Sequence, residues 1–140
     1  LAEDNLVNQK VALRTLDALG YHADVASDGA QAVDATCAAA ALGEPYAVVL
    51  MDIQMPNLDG HAATGQIRDL LAEADQPYVI ALTANSLDGD AQRALDAGMD
   101  AYLPKPLRRA DLADALERAE RHHADAMPRR AHDPLATPAR

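Results

Sequence analysis

Apolar residues follow two patterns along this chain: recurrence every three or four positions, and short unbroken runs. Residues 6–19 place Ala12, Leu16 and Leu19 on one helical face, and Gly20 is a suitable stop. Residues 22–26 read as a short strand, after which Ser27, Asp28 and Gly29 turn the chain into a helix over 30–42 that Gly43 and Pro45 end. The run 47–51 is apolar on both alternating faces, as in a strand covered on both sides. Ala63, Ile67, Leu70 and Leu71 share the face of a third helix, and residues 78–82 form the next buried strand. Over 86–98 the helical stripe thins to Ala91, Ala94 and Leu95, with Gly89 interrupting, so local mobility is expected there. Residues 101–103 predict a last strand. Leu112, Leu116 and Ala119 mark a final helix ending near His122 or His123. The rest is proline-rich and aperiodic, so the expected division is a domain over 1–123 and a linker or disordered tail over 124–140.

Regular alternation of apolar strands with helices predicts an α/β domain, a parallel sheet with helices on both sides. The length of 140 residues allows one core, not two. Without Trp or Phe, that core must be aliphatic and rich in alanine. A net charge of -10 argues against direct contact with a nucleic-acid backbone, which needs clustered Lys and Arg. The lone Cys37 cannot form an internal disulfide and reads as a small buried hydrophobe, which fits a reducing compartment. No run has membrane-spanning length and no signal peptide opens the chain, so a cytoplasmic domain without membrane contact is expected.

In an open parallel sheet the working residues gather at the carboxyl ends of the strands. Glu3 and Asp4, Asp52, Thr83 and Lys105 all fall at such ends. Asp52 is the sharpest case, because "VVLMDIQMPNLDG" (48–60) drives a carboxylate to the end of a buried strand, where it is costly without a partner. Three converging carboxylates repel one another and a bound cation relieves them; an all-oxygen set suits Mg2+. The candidate ligands are Asp4, Asp52 and a backbone carbonyl at Gln54, with Glu3 acting through water. With Lys105 and Thr83 facing the same point, the set could hold a phosphoryl group in transfer to Asp52 as nucleophile. Singly, each residue also has a plain reading. Glu3 and Asp4 would cap the first helix, Asp52 would sit on loop amides, Thr83 would be a strand-end hydroxyl, Tyr102 core and Lys105 solvated. The conjunction at successive strand ends favours the functional reading.

Four motifs carry a resemblance: "EDNLVNQ" (3–9), "LMDIQMPNLDG" (50–60), "ALTAN" (81–85) and "GMDAYLPKP" (98–106). In this order the chain resembles the receiver domain of two-component response regulators, most closely the receivers of hybrid sensor histidine kinases. The resemblance implies a flavodoxin-like, doubly wound, five-stranded parallel sheet of order 2-1-3-4-5 with five helices. Its first strand is central, and since only Leu1 and Ala2 precede the acidic pair here, that strand is expected to be truncated at the N-terminus. The resemblance makes Asp52 the phosphoacceptor, Glu3 and Asp4 the metal pair, Thr83 and Tyr102 the switch residues and Lys105 the phosphate contact. It assigns tuning of dephosphorylation to Gln54 and Asn85, and implies a cis Lys105-Pro106 bond. It also implies Mg2+ as cofactor, a histidine kinase or histidine phosphotransfer domain as donor, and a downstream protein on the surface from Ser86 to Arg121. Such a domain catalyses its own phosphorylation and dephosphorylation, within a kinase or as a single-domain regulator. Two rivals remain: a constitutive receiver-like binding module, and a small aspartyl-phosphate hydrolase, against which Gln54 stands where that class carries a second aspartate.

Overall fold

A computed structural model describes residues 1–84 and 89–126. The elements run α1 (Leu6–Ala18), α2 (Gly29–Ala41), β1 (Val48–Asp52), α3 (Gly60–Leu70), a 3-10 turn (Glu73–Asp75), β2 (Tyr78–Thr83), α4 (Gly89–Asp96), β3 (Ala101–Pro104) and α5 (Arg109–Ala126). The strands form a parallel sheet in the order β1-β2-β3, with Asp52 opposite Leu82 and Thr83 opposite Pro104.

Alternation along the strands gives each face of the sheet its own core. Val49, Met51, Val79 and Ala81 point toward Ala32 of α2 and Ile67 of α3. Leu50, Ile80 and Leu82 point the other way, toward Leu16 of α1 and Leu112 and Leu116 of α5. Helices therefore cover both faces, and every residue of β2 is buried. Fully burying a side chain such as Ile80 or Leu82 contributes about 1.5–3 kcal/mol. These strands are thus a fixed platform for whatever stands at their ends.

Five strands were the expectation; three form ladders among the described residues. Ala2 makes one isolated parallel bridge to Ala26 and another to Met51. The Ala2 amide donates to the Leu50 carbonyl at 2.8 Å, and the Glu3 amide to the Ala26 carbonyl at 3.0 Å. A ladder needs consecutive pairs, and among the described residues 22–26 only Ala26 makes a bridge. Ala2 nevertheless lies between two neighbours, which fixes where Glu3 emerges.

Other differences are local. Leu70 is 63% exposed, because the buried row of α3 steps by four from Ala63 through Ile67 to Leu71 and leaves Leu70 off it. Cys37 is only partly buried, packed against the α2–α3 side of the core. His61 is half-buried in the first turn of α3, with its Nε2 buried and without a hydrogen-bond partner among the described residues. The segment expected as a helix over 86–98 is helical over Gly89–Asp96, and residues 85–88 lie outside the described residues. The final helix runs to Ala126, past the expected end at 123, and the rest of the expected tail, 127–140, also lies outside them.

Candidate functional site

Glu3 is the first residue past the Ala2 bridges, and it is 2% exposed. Its carbonyl accepts from Gln9 Nε2 at 2.6 Å and its Oε2 from the Asn5 amide at 3.1 Å. The plain reading, in which Glu3 and Asp4 cap the first helix, does not hold. Asn5 is the cap, its Oδ1 accepting from the amides of Val7 and Asn8 at 2.9 and 3.0 Å. The two acids are left for other work.

Asp52 ends β1 on the same side of the sheet as Leu50 and is 4% exposed. The chain then bends sharply. The Gly60 amide donates to the Ile53 carbonyl at 2.8 Å, and a Cβ on Gly60 would come within 2.3 Å of the Asp52 carbonyl, so only glycine admits this approach. Asp59 caps α3 by accepting from the Ala62 amide at 2.8 Å. Within the loop, Asp52 Oδ1 accepts from the Gln54 amide at 3.3 Å.

Lys105 follows β3, with its amide donating to the Thr83 carbonyl at 2.8 Å and a cis bond to Pro106. Its Nζ lies 2.9 Å from Glu3 Oε1 and 2.9 Å from Asp52 Oδ2. Burial works against the ammonium, but the hydrogen bonds it donates to Asp52 and Glu3 outweigh it and raise its pKa above the ordinary 10.5. A raised pKa means stability that is complete below pH 10.5 and lost as pH climbs through the folded value, so the pair is intact at neutrality.

Glu3, Asp4 and Asp52 each bring one carboxylate oxygen to within 4.8 Å of the others. They border a cleft of about 310 Å³ whose wall also includes Asn5, Gln54 and Lys105. Three carboxylates face one ammonium, so the cleft carries excess negative charge. An all-oxygen donor set, one member of it exposed, fits a hard divalent cation that retains water.

Five sequence-predicted residues, Glu3, Asp4, Asp52, Gln54 and Lys105, therefore meet at one cleft. Thr83 stands at the end of β2, 1% exposed, its hydroxyl donating to the Leu103 carbonyl at 3.5 Å. That bond is long and weak, so the hydroxyl is held loosely; Thr83 itself does not line the cleft, although its neighbour Ala84 does. Tyr102 is 42% exposed on β3 opposite Ala81, and does not line the cleft. Asn85 lies outside the described residues. The sequence reading missed Asn5 and Asn8 on the rim; a polar residue just before the periodic stretch at Leu6 was the available signal for the cap.

Comparison with known proteins yields a consistent set. The family model for the response regulator receiver domain matches residues 1–117. Histidine protein kinase 1 of Candida albicans is 44% identical over 122 residues, a match covering 84% of this chain and 5% of that protein. The chain thus spans a small part of this curated relative. Among solved structures, the receiver domain of the sensor histidine kinase PA1611 of Pseudomonas aeruginosa, with a magnesium ion coordinated in its active-site cleft, is 44% identical. It superposes with a TM-score of 0.72, over 84% of this chain and 91% of that one. The receiver domain of Ssk1, crystallised with the phosphotransfer protein Ypd1 of Saccharomyces cerevisiae, is 29% identical, with a TM-score of 0.69 over 80% of each chain.

Proposed function

The chain belongs to the response regulator receiver domain family, and from that premise we propose that Asp52 accepts a phosphoryl group from a phosphohistidine in a two-component phosphorelay. An Asp52 carboxylate oxygen attacks phosphorus as the phosphorus–nitrogen bond breaks. The leaving imidazole nitrogen keeps the electron pair and takes a proton from solvent. Lys105 holds the carboxylate in place beforehand and then turns its ammonium to a phosphoryl oxygen. Asp4, Asp52 and the Gln54 carbonyl, with Glu3 through water, would hold Mg2+, which would supply positive charge to the transferring oxygens. Water later attacks phosphorus, the aspartyl oxygen leaves and inorganic phosphate departs; Gln54 and Asn85 tune that step.

Phosphorylation replaces the singly charged Asp52 carboxylate with an acyl phosphate of about -1.5 to -2, beside Glu3, Asp4 and Lys105. Thr83 exchanges its long bond to Leu103 for the phosphoryl group and Tyr102 moves inward, shifting the surface from Ser86 to Arg121 between two populations. That surface meets a downstream protein. The domain takes in the whole of α5 to Ala126, beyond the expected boundary at 123, and its strand order is 2-1-3-4-5, a reading supported by the two Ala2 bridges. It works in the cytoplasm as the receiver of a hybrid histidine kinase, a reading supported by its likeness to a segment of the Candida albicans kinase and by the Ypd1-bound receiver.

The observation that carries the reading is the 2.9 Å approach of one ammonium to both buried acids, with Asp4 unmatched beside them. Asp52→Asn should abolish phosphorylation by acetyl phosphate with Mg2+. Undiminished labelling of that variant would refute the assignment.

A further inference from the structure

We propose that Asp28 is a positioning residue for this site: through Asn57 it holds the loop between β1 and α3 in the conformation that presents the Gln54 carbonyl and Asp52 to one cation. The inference rests on the metal reading above and adds a residue that touches neither ion nor phosphoryl group.

Asp28 caps α2, and that task occupies one oxygen, Oδ1, which accepts from the Gln31 amide at 2.8 Å. The other oxygen, Oδ2, accepts from Asn57 Nδ2 at 2.7 Å, across 29 residues of sequence. A serine would serve a cap alone. Asn57 has a φ of 67°, in the left-handed region that asparagine tolerates better than most residues, so the tip of the loop adopts a conformation it would not favour unaided. Next to it the Gly29 amide donates to the Leu58 carbonyl at 3.1 Å, and a Cβ on Gly29 would come within 2.0 Å of that oxygen. The N-terminus of α2 and the loop tip are therefore pressed together, side chain to side chain and backbone to backbone. Asp28 is itself only 9% exposed. The Gln31 amide first and the Asn57 amide next lower its pKa below the ordinary 3.8, so it is a carboxylate acceptor at working pH.

The consequence for the site lies in the loop's path. Ile53 and Gln54 form one wall of the acidic cleft, and the Gly60 amide on the Ile53 carbonyl closes the loop at its far end. Between those points the tip is anchored to α2 by Asn57 and Leu58. Released there, the segment carrying Gln54 loses its fixed distance from Asp4 and Asp52. Partners of this outer kind matter to metal affinity because they orient the ligands.

The test uses the full 140-residue chain. Asn57→Asp sets two carboxylates against each other while leaving the bond between Asp28 and Gln31 in place. Calorimetric titration with MgCl2 should show affinity reduced about tenfold or more. In the metal-free protein, amide exchange at Gly29 and Gly60 should quicken. Asp28→Asn combined with Asn57→Asp reverses donor and acceptor, and should restore affinity to within about twofold of wild type, which loss of a helix cap could not explain. Asn57→Gly, which accepts the same φ without the amide, should show the same loss if Asn57→Asp does not fold. Wild-type affinity in Asn57→Asp or Asn57→Gly, or a double variant no better than Asn57→Asp, would overturn the proposal. If the wild-type chain binds no Mg2+, the metal reading fails by itself, and unchanged exchange at Gly29 and Gly60 would still sink the clamp.

Discussion

Two clusters of charge sit at opposite ends of β2, and their bonding differs in kind. At the N-terminal end, Arg68 of α3 donates from Nε to the Gly98 carbonyl, from Nη1 to Gln76 Oε1 and the Pro77 carbonyl, and from Nη2 to the Gly98 carbonyl and Asp100 Oδ2. Those bonds employ every donor the guanidinium has. Asp100 Oδ2 also accepts from the Val79 amide at 2.8 Å, and Gln76 Nε2 reaches the last carbonyls of α3. One positive charge meets one negative charge, and the cluster is closed. At the C-terminal end, Glu3 and Asp52 share the Lys105 ammonium, and Asp4 stands beside them on an open cleft without an ion pair among the described residues. A closed cluster ties α3 to the ends of two strands. An open one with surplus charge is poorly arranged for stability and well arranged to take up a cation.

Substitutions should separate the two ends. The largest effect is expected for Lys105→Ala: phosphorylation by acetyl phosphate should slow by about 10²-fold or more, since a preorganised charge at the transferring oxygens is lost. Mg2+ binding should persist, because the ammonium competes for the same oxygens. Parallel rate and calorimetric measurements check both halves. Arg68→Ala should cost about 2–3 kcal/mol in urea unfolding, as it strands Asp100 and several carbonyls, and should leave Mg2+ affinity unchanged. A loss of metal binding there would mean the two ends are coupled. Asp4→Asn should have the smallest effect on the fold, raising metal-free stability by a few tenths of a kcal/mol as repulsion falls, while weakening Mg2+ roughly tenfold. Unchanged affinity would remove Asp4 from the ligand set.

The open end was legible in the sequence because its residues close short apolar runs, and a carboxylate after "VVLM" or a lysine after "AYLP" marks a strand end without knowledge of tertiary contacts. The closed end went unread. Arg68 looks like an ordinary exposed helix residue until α3 is docked against Gly98 and Asp100, some thirty positions later. The tie between Asp28 and Asn57 is hidden for the same reason, being set by how α2 meets the loop rather than by local spacing. The five-stranded count came from the resemblance, and the truncation expected of its first strand shows as two isolated Ala2 bridges; residues 22–26 suited a strand by pattern and yet form no ladder. Leu70 shows the same limit within a helix, where apolar character alone did not say on which side of the buried row it falls.

The most direct test is to map the phosphoryl group after reaction with acetyl phosphate, by peptide mass spectrometry, with Mg2+ or with chelator. A hydroxylamine-labile acyl phosphate on the peptide containing Asp52, formed only with the divalent ion, is the predicted result. Label on another residue, or equal label on Asp52 under chelation, would contradict it.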